Sequence, residues 1–184
     1  YGITGNYFIY AGRAYPHKNL RRAIEALALT NNKLDKKVSL VIACSRSEFL
    51  SGLNDFVYKM NVKKYVKFLG FVTDEELAAL LAYSKAFIYP SLSEGFGLQG
   101  LESIAAGTLV LASDIPVFKD VYKDNVLYFN PFDFTSIEKS MRKALEMSPN
   151  VREKIIQKGQ KYIKRYSWSQ ISKNTLSIYN SSLA

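Results

Sequence analysis

A-F-I-Y-P-S-L-S-E-G-F-G-L-Q-G-L-E-S-I-A-A-G-T-L-V-L-A-S, residues 86 to 113, carries the alternation that decides the fold. Ala86 to Tyr89 is an apolar run stopped by Pro90, the right length for a strand and too short for a helix. A loop from Pro90 to Phe96 leads into a helix from about Gly97 to Ala106, and Gly107 ends that helix before a second short strand, Leu109 to Ser113. Two such strands joined through a helix pair in parallel, since antiparallel neighbours need only a tight turn between them.

The unit recurs in both directions. Upstream, Asn6 to Gly12 (N-Y-F-I-Y-A-G) is an apolar, aromatic run ending in glycine, and Leu20 to Leu29 has helical spacing. Val38 to Cys44 reads as the next strand, Glu48 to Met60 holds a helix, and Tyr65 to Gly70 is a third strand. Thr73 or Asp74 caps a helix through Tyr83, with Glu75 and Glu76 in its first turn, where the helix dipole favours acids. Downstream, Val126 to Phe129 is a sixth strand before Asn130-Pro131. From Ser136 the pattern is helical only: Ile137 to Met147, Val151 to Arg165 after Pro149, and Trp168 to Leu183. Short strands apolar on both faces, separated by helices, predict the α/β class: a doubly wound, Rossmann-like parallel sheet of about six strands flanked by helices, closed by C-terminal helices. No repeat or linker divides the chain, so residues 1–184 are expected to form a single domain.

Composition narrows the function. With 48% hydrophobic residues in a chain of 184, there is apolar material for one buried core. No apolar run is long enough to span a membrane and no signal-peptide pattern opens the sequence, so the expected location is cytoplasmic. Cys44 is the only cysteine, which excludes an internal disulfide and argues against a cysteine-based metal site. The net charge of +9 favours an anionic partner. Its lysines are scattered and match no nucleic-acid-binding motif, so nucleic acid is not the expected partner. Peripheral contact with an anionic membrane at its inner face fits the charge equally well.

In an open parallel sheet, ligands bind beyond the carboxyl ends of the strands. Two loops there carry chemistry. Gly12-Arg13-Ala14-Tyr15-Pro16-His17-Lys18-Asn19 offers two cations at the start of a helix: Arg13 with a planar fork for phosphate oxygens, and Lys18 as a point charge. Spacing alone fits this reading and an ordinary solvated loop equally. The second loop, from Pro90 to Glu102, has Gly95 and Gly97 to admit a close ligand and free amides at a helix start to meet an anion. Glu94 precedes that helix and Glu102 lies about 7 Å along it, so the two carboxylates meet different parts of a ligand. Carboxylates beside phosphate need neutral hydroxyl donors, and sugars supply them.

E-G-F-G-L-Q-G-L-E, Glu94 to Glu102, resembles the two-glutamate motif of retaining glycosyltransferases of the GT-B fold, particularly family GT4. G-R-x-x-x-H-K-N at Gly12 to Asn19 is similar to that family's diphosphate-gripping loop. Phe68 to Phe71, Gly107 to Ser113 and Tyr166-Ser167-Trp168 fall in the family's order, so the likeness runs from about residue 7 to residue 180. It implies the donor-binding, C-terminal half of a GT-B enzyme. By that resemblance, Arg13 and Lys18 hold the diphosphate of a GDP- or UDP-sugar and stabilise the departing nucleotide, making them catalytic together with Glu94. Glu94 binds the donor sugar's hydroxyls, the backbone at Gly12 and from Gly95 through Phe96 and Gly97 to Leu98 contacts the donor, and Glu102 binds the ribose. It also implies retention of configuration, no required metal or other cofactor, and an acceptor held by an N-terminal domain absent from these residues, so that the chain alone transfers little or nothing.

Gln99 and Gly100 depart from the proline and apolar residue common at these places, and Asp120 from a glutamate; the motif carboxylates are untouched. Ser113 to Phe118 and Asn130 to Asp133 look most like bacterial surface-polysaccharide enzymes, including mannosyltransferases, which points to GDP-mannose first and UDP-sugars next. His17, the only histidine, reads as a surface residue rather than a general base. An NAD-dependent dehydrogenase would share the fold class, but the first loop lacks G-x-G-x-x-G. A non-catalytic anion-binding module would explain the charge and leave both loops unexplained.

Overall fold

Six short runs of the sequence are strands, buried on both sides at the centre and half-buried at the two edges, and the computed structural model, which describes residues 1–45 and 48–182, joins them into one parallel sheet. The strands are β1 (Tyr7–Ala11), β2 (Ser39–Ala43), β3 (Val66–Phe68), β4 (Ala86–Tyr89), β5 (Val110–Ser113) and β6 (Leu127–Phe129). Their order is β3-β2-β1-β4-β5-β6, every neighbouring pair parallel. Between them run α1 (Leu20–Asn32), α2 (Phe49–Lys59), α3 (Asp74–Ala82), α4 (Leu98–Ala105) and α5 (Pro116–Tyr122), followed by α6 (Phe134–Glu146), α7 (Pro149–Ile163) and α8 (Trp168–Ser182). The doubly wound α/β expectation holds, and each expected strand lies within a residue or two of its place. Leu183, the expected end of the last helix, lies outside the described residues. No described helix is long and apolar enough to cross a membrane.

Period-two alternation sorts the strand residues between two cores. Phe8, Tyr10, Leu40, Ile42, Ile88 and Leu111 pack with α1, α2 and α6; Tyr7, Ile9, Val41, Phe87, Tyr89 and Val110 pack with α3, α4 and α5. Local signals set the helix ends. Thr73 Oγ1 accepts from the Glu76 amide at 3.2 Å while Glu76 Oε2 accepts from the Thr73 amide at 2.8 Å, a complete capping box on α3. Helix α5 was not anticipated: Pro116 opens it, and its seven residues are too few to show a period. Helix α8 buries none of its residues, and Trp168 is 76% exposed.

Helices α1 and α6 are tied by a buried charge. Glu138, 1% exposed, meets Arg142 Nε at 2.7 Å and Lys33 Nζ at 3.2 Å. Both cations stay partly in solvent, so screening tempers the pairs. Glu138→Gln is expected to destabilise the chain by about 1–2 kcal/mol, read as a lower urea midpoint at unchanged slope.

Candidate functional site

The strand order reverses between β1 and β4, and connections leave the two strands on opposite sides of the sheet there, opening a crevice at their carboxyl ends. The loops after β1 and β4 are the two singled out above. After β1, Gly12 takes φ 133° and its amide donates to the Ala43 carbonyl at 3.0 Å, turning the chain off the sheet edge. A 3₁₀ turn, Pro16–Lys18, then swings Lys18 back over the crevice. Asn19 ends that turn and begins α1 in the left-handed region at φ 58°, a conformation asparagine tolerates better than most residues.

Asn19 also joins three loops. Its Nδ2 donates to the Pro90 carbonyl at 3.0 Å and to the Pro131 carbonyl at 2.8 Å. The Leu92 amide donates to the His17 carbonyl at 2.8 Å. With its neighbours so anchored, Lys18 Nζ reaches Glu94 Oε1 at 2.5 Å across 76 residues of sequence. The pair is largely buried, with side chains 14% and 10% exposed, and Ser91 Oγ donates to the same carboxylate oxygen at 2.7 Å. Tyr89 lies beneath, its ring centroid 6.0 Å from Lys18 Nζ.

The expected residues fall into two groups. Gly12, Arg13 and Lys18 line a cavity of about 280 Å³ with Tyr10, Tyr89 and Gln99. Arg13 is exposed, and its Nη1 donates to the Tyr15 hydroxyl at 2.7 Å; the raised guanidinium pKa has that bond as its main cause. Phe96, Leu98 and Glu102 line a separate, mostly apolar cavity of about 540 Å³ against Ile163, Tyr166, Trp168 and Ile171. Gly95 is exposed, and Gly97 is buried at φ 96° where α4 begins. The structure therefore brings Lys18 and Glu94 into contact and leaves Glu102 on another face of α4. His17 is exposed and stacks on Tyr15. Among the described residues no three His, Cys, Asp or Glu side chains converge as a metal site requires.

Three buried tyrosines that the sequence reading passed over hold this floor. Tyr10 donates to the Arg13 carbonyl at 2.7 Å, Tyr89 to Gln99 Oε1 at 2.7 Å, and Tyr122 to the Gly97 carbonyl. Burial pushes all three phenols well above the usual tyrosine range, and the Glu94 carboxylate adds to the rise. They stay neutral and remain donors. Tyr10 and Tyr89 were legible as aromatics at or next to the ends of the strands that lead into the two loops; nothing local marked Tyr122.

The pattern of the glycosyl transferases group 1 matches residues 3–162. The chain is 34% identical over 167 residues to the O-antigen chain mannosyltransferase RfbU of Salmonella typhimurium, covering 90% of this chain and 44% of that protein. It is 29% identical to the O-antigen chain mannosyltransferase B of Escherichia coli, covering 94% of this chain and 45% of that one. The chain thus spans less than half the length of these relatives. In fold it is similar to a sucrose-phosphate synthase from Thermosynechococcus elongatus, with a TM-score of 0.83 at 20% identity over 97% of this chain and 45% of that one.

Proposed function

The chain belongs to the glycosyl transferases group 1, and we propose that it is the donor-binding half of a retaining hexosyltransferase that holds a nucleoside-diphosphate sugar at the carboxyl ends of β1 and β4. The buried Lys18–Glu94 pair carries this reading. A cation and an anion locked together at a switch point neutralise each other until a ligand offers both a better partner. A diphosphate is the partner for Lys18, and sugar hydroxyls donate to Glu94 without adding charge beside the phosphates.

In this reading Arg13 completes the grip on the diphosphate and, with Lys18, stabilises the negative charge that grows on the departing nucleotide. The backbone at Gly12 and from Gly95 to Leu98 meets sugar and phosphate, and Glu102 accepts from the ribose hydroxyls. These cations do the work a divalent ion does elsewhere, so transfer needs no metal. The mannosyltransferase relatives favour mannose, and GDP as its carrier, with a polysaccharide or lipid-linked glycan as acceptor. The acceptor is held by a further domain, and the charge of +9 suits work against the anionic inner face of a membrane.

The test is thermal unfolding of the chain with GDP, UDP, ADP, their sugar conjugates and NAD, with and without EDTA. A donor at 100 times its dissociation constant adds about 2.7 kcal/mol. One nucleoside diphosphate should stabilise the chain in EDTA, and Arg13→Ala and Glu102→Ala should each remove the gain. Stabilisation by NAD alone would overturn the reading.

A further inference from the structure

Helix α5 supplies none of the donor-binding residues, yet its last residue reaches the glycine loop. Tyr122 is fully buried, with its ring 5.2 Å from that of Phe118, which lies 4.6 Å from that of Tyr89. Its hydroxyl donates to the Gly97 carbonyl. A Cβ on Gly97 would sit 2.3 Å from that hydroxyl oxygen, and one on Gly100 would sit 2.2 Å from it and 2.5 Å from Cζ. Two glycines, one turn apart on α4, form a socket filled by the phenol. Gly97 also needs glycine for its left-handed φ, but Gly100 lies inside regular helix, where glycine is a poor choice. The socket accounts for it.

The peptide joining Gly97 to Leu98 is planar and trans, so its carbonyl and amide point in opposite directions. Tyr122 grips the carbonyl from the buried side. That carbonyl also accepts from the Gly100 amide at 3.1 Å, so the Leu98 amide, at the first position of α4 and without an intrahelical acceptor, points the other way, out of the N-terminal end of the helix, the end that favours an anion. Burial and the Glu94 charge keep the phenol neutral, so the grip persists across working pH.

We infer that Tyr122 is a positioning residue of the donor site, acting through the Gly97 carbonyl on the amides that meet the distal phosphate, with Gly100 as its socket. This rests on the donor reading above.

Calorimetric titration of the folded chain with GDP and GMP, and with UDP and UMP, tests it. The monophosphates end before the phosphate that the α4 amides meet. Tyr122→Phe is expected to weaken the bound diphosphate about fivefold, the scale of one hydrogen bond, and to leave the matching monophosphate unchanged; general loosening would weaken both alike. Gly100→Ala should lower the same ratio and the unfolding temperature. Adding Tyr122→Leu to Gly100→Ala should recover part of the temperature but not the ratio. If Tyr122→Phe does not fold, Gly100→Ala carries the ratio test. An unchanged ratio in a parent chain that binds GDP or UDP overturns the role of Tyr122 and leaves the donor reading standing. A parent chain that binds neither overturns both.

Discussion

Lys18→Met is expected to lower the stability of the chain by about 3 kcal/mol, because it strands the Glu94 carboxylate in a site that excludes most water. Glu94→Gln should cost less. Its amide oxygen can still accept from Ser91, and the Lys18 stem is long enough to lift its ammonium toward solvent. The double substitution, Lys18→Met with Glu94→Gln, leaves no orphan charge and should recover about 1–3 kcal/mol relative to the sum of the singles. Urea unfolding of the four chains measures that coupling, and additive losses would mean that the pair is not coupled. Binding should follow a different rule. On the donor reading, the double substitution regains stability but not affinity for the nucleoside-diphosphate sugar, since the Lys18 contact to the diphosphate and the Glu94 contact to the sugar are both gone. A chain that recovers both would remove this pair from the site.

Asn19→Asp should rank with the largest losses, about 3 kcal/mol, although it changes a single group at constant shape. The amide nitrogen donates to two carbonyls, Pro90 and Pro131, and a carboxylate oxygen in its place faces both as a like dipole. Asn19→Gly keeps the left-handed conformation easily and loses only the two bonds, for about 2 kcal/mol. Asn19→Ala loses the same bonds and adds the strain of φ 58°, about 1 kcal/mol more. Gly is therefore expected to have the highest urea midpoint, with Ala and Asp together about 1 kcal/mol below it, and an Asp chain as stable as the Gly chain would contradict this. On the donor reading, nucleotide affinity should fall in step, because Asn19 anchors the loop on which Lys18 sits.

The alternation of short apolar strands with helices was legible because each signal is local: a run of four to six apolar residues, a proline stop, a glycine end, a capping threonine. The two loops could be chosen for the same reason, since glycines and paired charges after a strand are visible in a window of a dozen residues. Helix α5 escaped because seven residues opened by Pro116 show no periodicity. The 3₁₀ turn at Pro16–Lys18 escaped for a similar reason, though it sets where Lys18 lies. Tyr122 escaped because its importance lies in a contact with Gly97, across 25 residues.

By itself the sequence determined the class of fold, the position of two loops rich in glycine and charge after β1 and β4, and a resemblance that the family match carries through. Only the tertiary structure decided that β1 and β4 are neighbours, that Lys18 and Glu94 pair in the crevice, and that Glu102 faces a different cavity from Lys18. The physical reason is one of range. Helix and strand signals arise from neighbours along the chain, whereas strand order and the meeting of two charges 76 residues apart follow from how both faces of the sheet bury their apolar residues at once.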